Sequence, residues 1–202
     1  MSRVPADTAL TFGPERPDEV ARVREVVRDA FGGEAVPELL DAMRADPMWR
    51  GLSHVARRGD RVVGHVAHTR AWLDTRERLV EVLVLSPLAV APDEQGRGVG
   101  DALVRWSLDR LRAEGTHPLV FLEGSPDYYA RFGFTAGEEA GHRRPSLRVP
   151  GPAFQVLALG ESAAGLHGTL VYPEVFWRHD SVGLRDPDLA EIESALQGPT
   201  PD

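Results

Sequence analysis

The stretch from Val90 to Gly100, VAPDEQGRGVG, places three glycines within five positions, directly after an apolar run and directly before a helical pattern. A glycine-rich turn that opens a helix presents free backbone N–H groups together with the positive end of the helix dipole. That is an anion site, and diphosphate is its usual occupant. Spacing separates the possible phosphate turns. A dinucleotide fingerprint needs G-x-G-x-x-G, whereas the glycines here stand at 96, 98 and 100. A P-loop needs Gly-Lys-Ser/Thr, and the chain has no lysine. The pattern that fits is Gln95-x-x-Gly98-x-Gly100 following a strand.

Composition limits the remaining chemistry. There is no cysteine, which removes disulfides, thiolate metal sites and any thiol nucleophile; no metal site is expected. All 23 cationic side chains are arginine, so a lysine Schiff base is impossible. A formal charge of −8 speaks against a nucleic-acid partner, whose phosphates require clustered positive charge. Arg143, Arg144 and Arg148 make only a small basic loop. No apolar run approaches the ~20 residues of a membrane span. The N-terminus lacks a signal-peptide core, so a cytoplasmic protein with no membrane partner is expected.

Periodicity supplies the elements that would hold the turn. At 202 residues and 42% hydrophobic, the chain suits one core. A single domain over residues 1–180 is expected, followed by a polar tail, mobile or loosely docked, over 181–202. Ala9 to Phe12 reads as a short strand. Val20, Val23, Val26, Val27, Ala30 and Phe31 recur at helical spacing, stopped by Gly32-Gly33, and a second helix is expected over Pro37 to Ala45. Ser53 to Arg57 and Arg61 to Ala71 read as two strands around the tight connection Arg58-Gly59-Asp60. The run RLVEVLVLSPLAV, Arg78 to Val90, contains Pro87, which marks an edge, a bulge or a break; one bulged strand is preferred over two kinked ones.

After the glycines, Val99, Leu103, Val104, Leu108 and Leu111 make a helical stripe ending at Gly115, and Leu119 to Leu122 is a short buried strand. Strand, glycine turn, helix and strand form a parallel crossover unit. Pro126 to Arg131 fits a short helix, Phe154 to Leu159 a strand, and Val171 to Trp177 a last apolar segment. The fold class is α+β, a mixed sheet flanked by helices.

The Q-x-x-G-x-G turn after such a strand resembles the acyl-CoA-binding motif of the GNAT family of N-acetyltransferases. About thirty residues on, Tyr128-Tyr129-Ala130-Arg131-Phe132-Gly133-Phe134 resembles that family's Tyr-x-x-x-Gly-Phe signature. Gly64-His65-Val66, Pro87-Leu88-Ala89-Val90 and Leu166 to Pro173 are similar to its YhbS-like bacterial branch. The resemblance implies a mixed, mostly antiparallel sheet with a splayed parallel strand pair. Its co-substrate is acetyl-CoA and its partner an amine acceptor, the protein being a monomer or homodimer.

On this resemblance, backbone groups of Leu88, Ala89 and Val90 pair with pantetheine amides. Gln95, Gly96, Arg97, Gly98, Val99 and Gly100 hold the diphosphate; Gly98 and Gly100 are needed because a Cβ would collide with phosphate. The Leu88 N–H would stabilise the tetrahedral intermediate. Tyr129 falls where the family places its catalytic tyrosine, the proton donor to the departing thiolate. The alternatives are a packing role for Tyr129 and a solvated loop role for Arg97.

The base is open. Where many relatives carry a carboxylate on the bulged strand, this chain has Val84, Leu85 and Ser86. A water relay to Glu81 is preferred, with Glu123, His65 and His68 as rivals. Gly124-Ser125 stands where many relatives have asparagine. Without a cysteine to be acylated, transfer is expected to be direct, in a ternary complex. The alternatives are a CoA-binding sensory module without turnover, and a transferase of another acyl-CoA.

Overall fold

Val23, Val26 and Val27 sit at i, i+3 and i+4, a spacing that gives a helix one apolar stripe. In the computed structural model, which describes residues 9–197, they lie on α1 (Val20–Phe31) and are fully buried. Gly32 ends α1 in the left-handed conformation, φ 72°, with its N–H on the Arg28 carbonyl at 2.8 Å. Leu39, Leu40 and Met43 form the matching stripe of α2 (Ala35–Ala45).

The strands form a mixed, mostly antiparallel eight-stranded sheet, ordered β1-β2-β3-β4-β5-β7-β6 with β8 paired to β3 and one parallel pair, β4 with β5. They are β1 (Leu10–Pro14), β2 (Leu52–Arg58), β3 (Arg61–Thr75), β4 (Leu79–Val90), β5 (Leu119–Glu123), β6 (Thr135–Ala136), β7 (Phe154–Ala158) and β8 (Gly168–Val171). β4 runs unbroken through Pro87, as the continuous apolar character predicted. Backbone contacts gather residues 9–70 and 83–117 into one compact unit, and residues 71–82 and 118–197 into another.

In the first unit, residues paired across antiparallel strands share a face. Val55↔His65 and Ser53↔Ala67 define one face of β2 and β3; Leu52↔His68, His54↔Val66 and Ala56↔Gly64 define the other. Val55, Val62 and Ala67 pack with Val23, Val26, Val27 and Leu40 of the first two helices, and with Ala89 and Ala91 at the end of β4. The opposite face receives α3 (Val99–Glu114). A Cβ at Gly64 would lie 3.2 Å from Val99 Cγ1, and Trp106 meets His54 edge-on at 5.2 Å. Helix on both faces explains the near-continuous burial of β3.

The second unit is built on β5 and β7, antiparallel from Leu119↔Ala158 to Glu123↔Phe154, with Phe121 and Phe154 stacked at 5.6 Å. β6 adds to β7, and β8 adds to the end of β3 from Trp72↔Val171 to Thr75↔Gly168. The short helices α4 (Pro126–Tyr129) and α5 (Glu174–Arg178) precede α6 (Asp188–Gln197). The loosely docked tail expected from Ser181 onward is corrected at its start. Val182 is fully buried, the Gly183 N–H donates to Glu123 Oε2 at 3.0 Å, and the Leu184 N–H donates to the Arg148 carbonyl at 2.8 Å. Sequence polarity hid this because one valine and two backbone amides do the anchoring. Residues 198–202 of that expected tail lie outside the described residues. Among the described residues no helix is long and apolar enough to cross a membrane.

The first unit also buries three histidines. The Ser53 hydroxyl donates to the Glu15 carboxylate and lies 2.8 Å from His65 Nε2, while Arg44 holds the other Glu15 oxygen at 2.5 Å. His68 has neither ring nitrogen hydrogen-bonded. Burial pushes His54 down to about 4 and His65 and His68 down to about 3, from 6.5. The unfolded chain therefore binds protons that the folded one refuses. Stability is complete above pH 6.5 and falls as the pH drops toward these values. Urea denaturation between pH 7 and pH 5 should show a loss approaching ~1.4 kcal/mol per pH unit for each such histidine. His68→Leu should keep the stability at pH 7 and flatten that slope by about one histidine's share. An unchanged slope would remove buried histidine as its cause.

Candidate active site

The turn grows directly out of β4. Leu88 and Val90 are half-buried, and Ala89 between them points into the core. The Ala91 N–H bonds the Val63 carbonyl at 2.9 Å, a single 3-10 turn spans Pro92–Glu94, and the chain then bends through Gly96 (φ 70°) and Gly98 (φ 77°) into α3. Both glycines adopt the left-handed region that other residues avoid. An added Cβ at either would meet nothing within 4 Å. Within the protein itself, backbone conformation rather than crowding selects glycine here, and the space beside the turn is open to a ligand. Gly98 caps α3 and Gly100 lies in its first turn, so the helix presents its unsatisfied N–H groups at this point.

Buried charge braces the turn. Glu94 is 4% exposed, and Arg58 closes on it with bonds of 3.0 and 2.9 Å. Arg61 binds Asp93 at 2.8 Å, and Arg97, itself exposed, stands 3.8 Å from Glu94. The Gln95 amide reaches back to the Val90 carbonyl at 3.0 Å. Its side chain therefore ties the turn closed, leaving backbone groups to face outward. Glu94 escaped the sequence reading: the acidic pair before the glycines is visible there, but a partner 36 residues away is not.

Tyr129 belongs to the second unit. Ser125 starts α4, accepting the Tyr129 N–H at 3.1 Å, and Gly133 (φ 92°) turns the chain after it. The Tyr129 ring contacts Tyr128 edge-on at 4.9 Å and Phe134 at 5.7 Å. Burial first, and then the Tyr128 phenol, push its own phenol well above the ordinary tyrosine range. The group is thus a protonated donor at any physiological pH. Among the described residues its hydroxyl has no hydrogen-bond partner. A Cβ at Gly124 would fall 2.5 Å from Tyr129 Cε2. The ring occupies the place where a side chain at 124 would start, which accounts for glycine at this position.

The candidate bases have unlike surroundings. His65 and His68 are fully buried and held neutral in the first unit. Glu81, half-buried on β4, belongs to the second unit, as does Glu123. Glu123 Oε2 accepts the Gly183 N–H, and its Oε1 is withdrawn from water. Burial raises its pKa, opposed by Tyr172, the Gly183 N–H and Arg148.

Known proteins resemble this chain in sequence and in fold. The family model described as acetyltransferase (GNAT) domain matches residues 14–137. YjhQ of Escherichia coli K12, an uncharacterized N-acetyltransferase, is 36% identical over 126 residues, covering 62% of this chain and 69% of that protein. The crystal structure of the GNAT N-acetyltransferase YhbS from Escherichia coli, in complex with CoA, is similar with a TM-score of 0.77. Its identity is 27%, covering 88% of this chain and 97% of that one. A GNAT acetyltransferase from Brucella melitensis, in complex with acetyl-CoA, is similar with a TM-score of 0.67 and 30% identity, covering 83% of this chain and 98% of that one. With a matching domain over more than half its length and the family's turn built at the head of α3, this chain belongs to the GNAT family of acetyltransferases.

Proposed function

We propose that the protein transfers an acetyl group from acetyl-CoA to an amine by direct attack within a ternary complex. The turn carries this reading. Gly96 and Gly98, both left-handed, lead into α3 with open space beside them, braced by the Glu94–Arg58 pair. Such a cradle suits a diphosphate. Relatives solved with CoA and with acetyl-CoA support the same co-substrate. Leu88, Ala89 and Val90 would offer backbone groups to the pantetheine arm, and Gln95 to Gly100 would hold the diphosphate, with Gln95 acting by keeping the turn closed.

In this mechanism the acceptor amine gives up a proton, attacks the thioester carbonyl and displaces the thiolate. Tyr129 returns a proton to the sulfur, a role its high phenol pKa suits. Glu81 accepts the amine proton through water, and Glu123, whose pKa burial raises, is the competing base. Much of the rate would come from holding the two substrates in register. The β4 positions Val84, Leu85 and Ser86 carry no carboxylate, which favours one second reading, a CoA-binding module without turnover. Thiol release from acetyl-CoA across an amine library separates the two.

Gly98→Val forces a β-branched residue into the left-handed region and should weaken acetyl-CoA binding at least about tenfold by calorimetry, with melting still cooperative. Unchanged affinity would remove the turn from the site. Tyr129→Phe should lower kcat by roughly tenfold or more while acetyl-CoA affinity holds, because it deletes the acid and keeps the ring. Tyr128→Phe should be nearly silent. Gly124→Ala, which pushes on the Tyr129 ring, should lower kcat in the same direction. Unaltered rates in all three variants would exclude a tyrosine acid. Mass spectrometry after incubation with acetyl-CoA alone should show no stoichiometric acetyl adduct, and a competent adduct would overturn direct transfer.

A further inference from the structure

A cavity of about 670 Å³ lies wholly within the second unit, at the β3–β4 hairpin, and falls in the usual size range of small-molecule sites. Arg76 and Arg78 on the hairpin and Arg143 on the facing loop line it. Most arginines of this acidic chain are engaged with carboxylates, among them Arg24, Arg44, Arg57 and Arg58. These three are different. Exposed to solvent, they take part in no ion pair among the described residues.

The backbone beneath them is fixed. Thr75 Oγ1 donates to the Arg78 carbonyl at 2.7 Å and accepts the N–H groups of Glu77 and Arg78 at 3.3 and 3.1 Å. Arg143 is pinned on both sides, its N–H on the Gly168 carbonyl at 2.8 Å and its carbonyl on the Leu170 N–H at 2.9 Å. Gly168 passes so close to Asp74 that any side chain there would strike the Asp74 carbonyl. Two rigid loops thus present three uncommitted guanidinium groups to one space, and planar guanidinium forks match oxyanions. Asp74 and Glu77 also line the cavity and, with the net charge of −8, repel an extended polyanion such as nucleic acid.

We propose that this cavity binds a compact oxyanion, a phosphate or carboxylate group on a small ligand, through Arg76, Arg78 and Arg143. Calorimetry on the full chain at about 0.1 M salt, where surface charges are screened beyond ~10 Å, tests it with inorganic phosphate and citrate as separate probes. At least one should bind. Arg143→Gln should weaken it about tenfold or more, the loss of one charge-assisted pair, and Gly98→Val should leave it unchanged. Arg143→Gln removes an unpaired guanidinium and keeps the backbone bonds, so its cooperative melting should persist. Binding of phosphate alone assigns a phosphate ligand, and binding of citrate alone a carboxylate. Binding of neither probe, affinity unaltered in Arg143→Gln, or loss in Gly98→Val instead overturns the proposal. CoA affinity, lost in Gly98→Val and kept in Arg143→Gln, tests the acetyltransferase reading separately.

Discussion

Between β4 and α3 the Glu94 carboxylate is almost wholly withdrawn from water, and the two hydrogen bonds from Arg58 are its main compensation, with Arg97 and Arg61 further off at 3.8 and 4.0 Å. Without Arg58 the buried carboxylate would lose its hydrogen-bonded partner, a loss that typically costs about 3–5 kcal/mol. Arg58 is the last residue of β2, so the pair fastens the turn to the sheet at the point where α3 must begin. The neighbouring bonds, Arg61 to Asp93 and Gln95 to Val90, hold the same short stretch. With its sides held, the turn reaches α3 through two glycines in left-handed conformations, and the free N–H groups of the helix face outward.

A chain without lysine makes every cationic contact with a planar, five-donor group. This favours buried forks such as Arg57 with Glu19, where bonds of 2.5 and 2.7 Å are joined by one of 2.8 Å to the Pro14 carbonyl. The same chemistry makes an uncommitted guanidinium conspicuous. The contrast between the paired arginines of the first unit and the hairpin arginines of the second is therefore one of wiring and not of number.

The second unit solves a different problem, holding the Tyr129 phenol, the proposed acid, in place with little machinery. Tyr129 rests on aromatic neighbours and on the bare backbone of Gly124. Gly124 is itself held at both ends, its N–H on the Ala153 carbonyl at 3.0 Å and its carbonyl on Gln155 at 2.8 Å. Apolar surroundings keep the phenol protonated, the state an acid needs. One residue earlier, Glu123 spends one oxygen on the chain segment at Gly183, so a carboxylate at the end of β5 also fastens the stretch around Val182.

Short-range order was legible in the sequence because it is written in adjacent residues. The valine spacing of α1, its stop at Gly32, the hairpin from β2 to β3 and the continuity of β4 through Pro87 all follow from local periodicity and turn chemistry. So did the glycine turn, since left-handed backbone at the head of a helix requires glycine whatever surrounds it. Tertiary structure alone decided the rest. Glu94 and Arg58 are 36 residues apart, and Glu123 and Gly183 are 60 apart. The burial of His65 and His68, which turns two apparent proton acceptors into neutral core residues, depends on their β2 partners and on helices packed over both faces. Gly124 reads in sequence as a missing asparagine and in space as the seat of the Tyr129 ring. Local sequence determines the conformation a segment can adopt, but desolvation, charge pairing and steric exclusion depend on what the folded chain brings beside it.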